Sequence, residues 1–304
     1  MRVLVVGAHG QLARSLVAHR AEAGMEIIAR GRPHLDLTSP DTVVAAIADV
    51  APDVIINAAA YTAVDQAETE EQDARALNEL GAGVLAHEAR VRDVPLIHIS
   101  TDYVFDGQSD QPYVESDPVA PMSAYGRSKL AGERAVAAAQ PQSLIIRTAW
   151  VVSPYGRNFC KTMLRLAGER PQLRVVADQV GSPTYAPHLA AALVDMAKQI
   201  MRGREDVNWG IYHLANGGFA SWYDVAIATM KEAGRNGLAS VPVEAITTAD
   251  YPTPARRPQS SRLDCSKALE AFGVAMPPWQ DAIAECVAAI AQRDPQSEEI
   301  RMTR

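Results

Sequence analysis

The first dozen residues constrain this chain more than any other stretch. Arg2 to Val6 is a short β-branched run, and it stops at Gly7-Ala8-His9-Gly10-Gln11-Leu12-Ala13. Strand, glycine-rich turn and helix in that order make a dinucleotide-binding fingerprint, with alanine at the third glycine position. Gly7 makes the tight turn, and Gly10 lets a pyrophosphate approach the backbone. The helix opening at Gln11 and Leu12 offers unpaired N–H groups and a positive dipole end. An ordinary strand-to-helix connection would share the pattern; the position in a first strand-helix unit favours the nucleotide site.

Alternating strands and helices follow. Glu26-Ile27-Ile28-Ala29 is a second strand, whose end is where an acidic residue would grip the ribose 2′-hydroxyl of NAD. The chain has Arg30 and Arg32 there, which suit a 2′-phosphate and favour NADPH over NADH, unless both belong to a solvated loop. Asp36 and Leu37 come next, then Ser39-Pro40 as a helix start with a capping side chain. A third strand, Asp53 to Asn57, ends in Ala58-Ala59-Ala60-Tyr61-Thr62, small enough for a flat ligand to lie close. A long helix, roughly Glu71 to Arg90, contains Asn78 and precedes the apolar run Pro95 to Asp102. His98 inside that run is expected to be a satisfied core residue. Ser100, Thr101 and Asp102, at the carboxyl end of a parallel strand, are expected to point into the ligand crevice. Ser143 to Thr148 closes at least five alternating units.

The fold expected is α/β, a doubly wound parallel sheet with a smaller mixed α/β C-terminal domain. Residues 1–150 form the dinucleotide-binding domain. Residues 151–304 form mainly the substrate-binding domain, with about 184–214 returning to the nucleotide-binding sheet. The final stretch, Asp294 to Arg304, is polar and expected to fray.

Composition narrows the partners. A net charge of −7 argues against nucleic acid or an anionic membrane, because a phosphate-binding surface needs clustered Lys and Arg. No apolar run reaches a membrane span, and Met1-Arg2 leads into a strand-like run rather than a signal peptide, so the cytoplasm is the expected compartment. Cys160, Cys265 and Cys286 show no metal-ligand spacing and are expected to be reduced thiols.

The candidate chemistry lies in Ser123-Ala124-Tyr125-Gly126-Arg127-Ser128-Lys129. Pro118 and Pro121 precede it and good helix formers follow, so a helix starts near Ser123 and sets Tyr125 and Lys129 on one face. A phenol needs its pKa moved by about 3 units, or about 4 kcal/mol, to exchange protons at neutral pH. One ammonium supplies that in a partly desolvated cleft, so Lys129 is expected to lower the pKa of Tyr125. Taken alone, the spacing also fits a solvated helix face.

Together with Asn57 to Asp65, Ser100-Thr101-Asp102-Tyr103-Val104-Phe105-Asp106-Gly107, Arg147-Thr148-Ala149-Trp150, Asp178 to Thr184 and Arg257 to Leu263, these motifs resemble the extended short-chain dehydrogenase/reductase superfamily. Within it they are most similar to the dTDP-4-dehydrorhamnose reductase family, in the same order over residues 1 to about 290.

The resemblance implies reduction of the C4 ketone of dTDP-4-dehydro-6-deoxy-L-mannose to dTDP-L-rhamnose, with NADPH or NADH. It implies a catalytic Thr101-Tyr125-Lys129 triad and cofactor contacts from Gly7, Gly10, Gln11, Leu12, Arg30, Asp36, Leu37, Ala60, Tyr61, Thr62 and Asn78. It implies substrate contacts from Thr101, Asp102, Tyr103, Trp150, Asn158 and Arg257, with Arg256, Arg262 and Lys161 as further cations for a diphosphate. Some family members form a dimer bridged by magnesium through a glutamate in the first helix and another just after the Pro-Thr motif. Those positions here are Ser15 and Pro187, so neither magnesium nor that dimer is expected, and the oligomeric state stays open.

Sugar-nucleotide 4,6-dehydratases also resemble this chain, but they carry Asp-Glu where it has Asp102-Tyr103, so it would lack their second acid/base. The same motifs are compatible with a sugar-nucleotide epimerase. They are compatible as well with an NADP-binding regulatory subunit of the methionine adenosyltransferase type.

Overall fold

Strand β1 (Arg2–Val6) dictates the layering. Val3 and Val5 pack into one apolar cluster while Leu4 and Val6 pack into another, because successive strand side chains point to opposite faces. A sheet with both faces apolar needs a helical layer on each side. The computed structural model describes residues 1–293 and shows both layers. The tail expected to fray lies outside the described residues.

From the start of the chain, α1 (Gln11–Ala23), β2 (Glu26–Arg30), α2 (Pro40–Val50) and β3 (Val54–Asn57) alternate. Then come α3 (Glu71–Arg75), α4 (Ala82–Val91), β4 (Leu96–Thr101), α5 (Ala124–Ala139) and β5 (Ser143–Thr148). Beyond β5 lie β6 (Val151–Val152), α6 (Phe159–Glu169), β7 (Leu173–Val176), β8 (Val180–Gly181) and β9 (Thr184–Tyr185). Next are α7 (Ala186–Arg202), β10 (Gly210–His213), β11 (Ala220–Ser221), α8 (Trp222–Arg235) and β12 (Val243–Ile246). The chain closes with β13 (Ser260–Ser261), α9 (Ser266–Phe272) and α10 (Trp279–Ala291).

The main sheet is parallel throughout, in the order β10-β5-β4-β3-β1-β2. The connection leaving β1 runs to β2 on one side and that leaving β3 runs to β4 on the other, and the crevice outside the carboxyl ends of β1 and β3 is where such sheets hold ligands. Helices α1 and α7 cover one face; α2, α4 and α5 cover the other. Strand β10 pairs with β5, so the segment after α7 rejoins the sheet. The remaining small lobe packs α6, α8 and α10 together, with β7 and β12 paired beside α8. All three cysteines are free, and Cys160 and Cys286 are buried.

Two local expectations need correction. Ser39 is the N-cap residue of α2, yet its side chain makes no cap; the Thr42 hydroxyl ties that turn to Asp36 and Ser39 instead. The long helix is interrupted, because Ala76–Gly81 is a π-helical turn between α3 and α4. Helix α5 crosses so close there that a Cβ on Gly132 would lie 2.0 Å from the Asn78 carbonyl oxygen. Asn78 lies in this turn and is buried, and such turns recur at functional sites.

A buried ion pair fixes α5 against the sheet. Glu133 accepts from Arg147 of β5 at 2.9 and 2.8 Å and from the Ser100 hydroxyl of β4 at 2.5 Å. Both charged side chains are buried, so each depends on the other for solvation.

Candidate active site

Two hollows meet at the carboxyl edge of the sheet, sharing His9, Gly10, Ala58 and Ala60 in their walls. The first, of about 600 Å³, is walled by backbone and small side chains, among them Gly7, Gly10, Gly31, Asp36, Leu37, Ala60 and Tyr61. Gly7 has φ +103°, and a Cβ there would lie 2.9 Å from the Ala59 nitrogen, so no other residue fits the turn. Gly10 caps α1 without a side-chain hydrogen bond, leaving the first helical N–H groups for a ligand. A backbone cradle opening on a free helix N-terminus fits a dinucleotide pyrophosphate.

Arg32 lines this hollow, while Arg30 is turned to Asp49 at 3.4 Å and faces an adjoining one. Asn78 lines neither hollow. Its Oδ1 accepts the Tyr61 N–H at 2.8 Å, and its Nδ2 donates to the Tyr61 carbonyl and to Ser128. It therefore shapes the wall from behind.

The second hollow, of about 650 Å³, holds the hydroxyl and charged groups: Thr101, Asp102, Tyr103, Tyr125 and Lys129 all line it, with Gln11, Leu12 and Thr62 on the side of the glycine turn. Ser123 caps α5 through its side chain, which accepts the Gly126 N–H at 3.1 Å, and this places Tyr125 in the first turn. Thr101 donates to Asp102 Oδ1 at 2.9 Å. Burial pushes the Asp102 carboxyl up to about 6, against the hydroxyls of Ser261 and Thr101. Its Oδ2 has no hydrogen-bond partner; Ser261 approaches without closing a bond. Tyr103 packs edge-on against Tyr125 with ring centroids 5.5 Å apart.

The expected effect of Lys129 on Tyr125 is not found. Burial raises the Tyr125 phenol well above its ordinary range, partly offset by the Thr101 hydroxyl, with Asp102 and Tyr103 raising it further. The ammonium is spent elsewhere, on the Ile99 carbonyl at 2.7 Å. Burial in turn lowers Lys129 to about 8, with Glu133 pulling the other way.

Of the expected substrate contacts, Trp150 lines the crevice in a left-handed conformation (φ 48°), stacked on Trp222 with centroids 3.6 Å apart. Gly181 lies beneath the Trp150 ring, where a Cβ would come within 2.5 Å of it. Asn158 does not reach the crevice, because it caps α6 and donates to Gln11 Oε1 at 3.1 Å. Arg257 pairs with Asp65 at 2.6 Å, lines a neighbouring hollow of about 380 Å³ and lies beside Tyr103 of the crevice wall, with its Nη1 buried and unpaired. Arg262 is held by Ser260 and by the Ser109 carbonyl. Ser15, at one position considered for a metal ligand, donates to the Gln11 carbonyl.

Sequence inspection missed Trp222, Phe159 and Arg157, which line the crevice from the small lobe. Trp222 had a legible signal, the Ser221-x-x-Asp224 capping box that fixes it in the first turn of α8. Arg157 is exposed at the mouth.

The family model described as the RmlD substrate binding domain matches residues 1–292. This chain belongs to the dTDP-4-dehydrorhamnose reductase family. The Sinorhizobium fredii dTDP-4-dehydrorhamnose reductase is 46% identical to it over 290 residues, covering 95% of this chain and 98% of the relative. The enzyme of the same name from Aggregatibacter actinomycetemcomitans is 47% identical over 285 residues, covering 93% and 97%. The crystal structure of the Bacillus anthracis dTDP-4-dehydrorhamnose reductase in complex with NADP superimposes with a TM-score of 0.86 at 35% identity, covering 94% of this chain and 98% of that one. The extended reductase fold and an NAD(P)H-dependent oxidoreductase activity follow for this chain. Among the described residues no helix is long and apolar enough to cross a membrane.

Proposed function

We propose that this chain reduces the C4 ketone of dTDP-4-dehydro-6-deoxy-L-mannose to dTDP-L-rhamnose, with NADPH preferred over NADH. The observation that carries this is the convergence of Thr101, Tyr125 and Lys129 in a crevice continuous with the glycine turn. Residues 1–150 hold the cofactor, and the lobe beyond β5 holds the sugar nucleotide.

The cofactor supplies a hydride to the ketone carbon. The carbonyl oxygen then carries the negative charge, and Tyr125 gives it the phenolic proton. A secondary alkoxide is a far stronger base than a phenolate, so a phenol with a raised pKa is still a competent donor. Lowering that pKa to neutrality, as the Tyr-x-x-x-Lys spacing suggests, is unnecessary in the reductive direction. Thr101, whose single hydroxyl hydrogen rests on Asp102, turns that hydrogen to the carbonyl oxygen when the ketone binds and so orients the ketone. Lys129 binds the nicotinamide ribose and faces the phenolate once the proton has left.

Tyr103 stands where a dehydratase has glutamate, so the second acid/base that their elimination uses is missing. The stacked Trp150 and Trp222 offer a flat apolar wall to the sugar or its base. Arg157 at the crevice and Arg257 beside Tyr103 are the cations for the diphosphate.

The test is turnover. Incubation with dTDP-4-dehydro-6-deoxy-L-mannose and NADPH should consume the reduced nicotinamide, with dTDP-L-rhamnose identified by NMR. Cofactor binding without turnover on this sugar would refute the proposal.

A further inference from the structure

Lys129 ends a chain of buried polar groups that runs from the crevice into the sheet. Its Nζ lies 3.4 Å from His98 Nε2, and His98 Nδ1 lies 3.1 Å from Asn57 Nδ2. All three side chains are about 1% exposed. The Asn57 amide is not free to turn. Its Oδ1 accepts the Ala59 backbone N–H at 3.2 Å, from a group that can only donate. The amide therefore presents N–H to His98, and Nδ1 of the imidazole must accept. A neutral imidazole that accepts at Nδ1 carries its hydrogen at Nε2. That hydrogen points at Lys129. An ammonium has three donors and no acceptor, so it meets His98 donor to donor, whereas a neutral amine offers a lone pair.

We infer that Asn57 and His98 are a positioning pair that biases Lys129 toward its neutral form by aiming an imidazole N–H at its nitrogen. The pair acts through Lys129 and touches neither substrate nor cofactor, and it rests on the role given to Lys129 above. Lys129 titrates among Tyr125 and Glu133 of its own helix, His98 and Asp102 of the β4 end, and Arg147 of β5 behind Glu133. Burial lowers Lys129 to about 8, and Glu133 opposes it. His98 is held neutral, far below its ordinary pKa, by burial and by Lys129 itself. The ammonium form that faces the Tyr125 phenolate is therefore lost as pH rises through the lowered value, and the basic limb of kcat lies below the ordinary lysine range.

Asn57→Asp reverses the wiring. A carboxylate accepts from Nδ1–H, Nε2 becomes an acceptor, and the ammonium gains a partner. Two NMR readouts need no activity. In wild-type protein with 15N-labelled histidine, His98 should be protonated at Nε2; in Asn57→Asp it should be protonated at Nδ1. With 13Cε-labelled lysine, the Lys129 signal, assigned by its absence in Lys129→Met, should titrate about one unit or more higher in Asn57→Asp, roughly a tenfold gain in proton affinity. Placed on a His98→Leu background, the same substitution should lose most of that shift, because an added charge alone would not need His98. A wild-type His98 protonated at Nδ1, or an equal Lys129 shift without His98, would overturn the pair. If Lys129 shifts as described while the basic limb of kcat stays put, the pair stands and the catalytic role of Lys129 falls.

Discussion

The two ends of the crevice are built from different materials. At the glycine turn the walls are backbone and small side chains, and the constraint is steric: Gly7, Ala58, Ala59 and Ala60 leave room, and the uncapped N-terminus of α1 opens into it. At the other end the walls are Thr101, Asp102, Tyr125 and Lys129, nearly all removed from water, and the constraint is electrostatic. The first end needs shape, which a strand-turn-helix pattern fixes locally. The second needs each buried charge and hydroxyl to be answered by a partner from elsewhere in the chain. Damage to the first should cost affinity for the cofactor, and damage to the second should cost stability and turnover.

The largest expected effect that would break this contrast lies behind the electrostatic end. Glu133→Ala leaves Arg147 buried without its partner and should destabilise the fold by about 3–5 kcal/mol, read as a fall in the urea midpoint. A loss under about 1 kcal/mol would mean that water replaces the carboxylate, and α5 would not depend on this pair.

A smaller effect sharpens the steric end. Arg32 faces the hollow while Arg30 is paired with Asp49. Arg32→Ala should weaken NADPH about tenfold by calorimetry, in line with one lost charge-assisted bond, and leave NADH unchanged. Arg30→Ala should change either affinity by less than about twofold. The opposite pattern would place the 2′-phosphate on Arg30.

That contrast also explains what the sequence disclosed. The sheet was legible because glycine turns and apolar runs are local, as in Gly7 to Ala13 and Val54 to Asn57. Tyr125 and Lys129 were legible because one helix carries both. The partners of Lys129 were not. Ile99 and His98 reach it across the sheet, some thirty residues away in sequence, and His98 looked like inert core. The same distance hid the Asp65 partner of Arg257 and the tie between Asn158 and Gln11. Trp222 was overlooked because its stacking on Trp150 joins two lobes that no local pattern connects.

The central claim is that Tyr125 delivers the proton from within this electrostatic end. Tyr125→Phe removes one oxygen and leaves the ring packed against Tyr103. Turnover of dTDP-4-dehydro-6-deoxy-L-mannose with NADPH, followed by nicotinamide absorbance alongside the Kd for NADPH, tests it. The account predicts a fall in kcat on the order of 10²- to 10⁴-fold with Kd within about twofold of wild type. Near-normal turnover, or a loss explained by weakened NADPH binding, would contradict it.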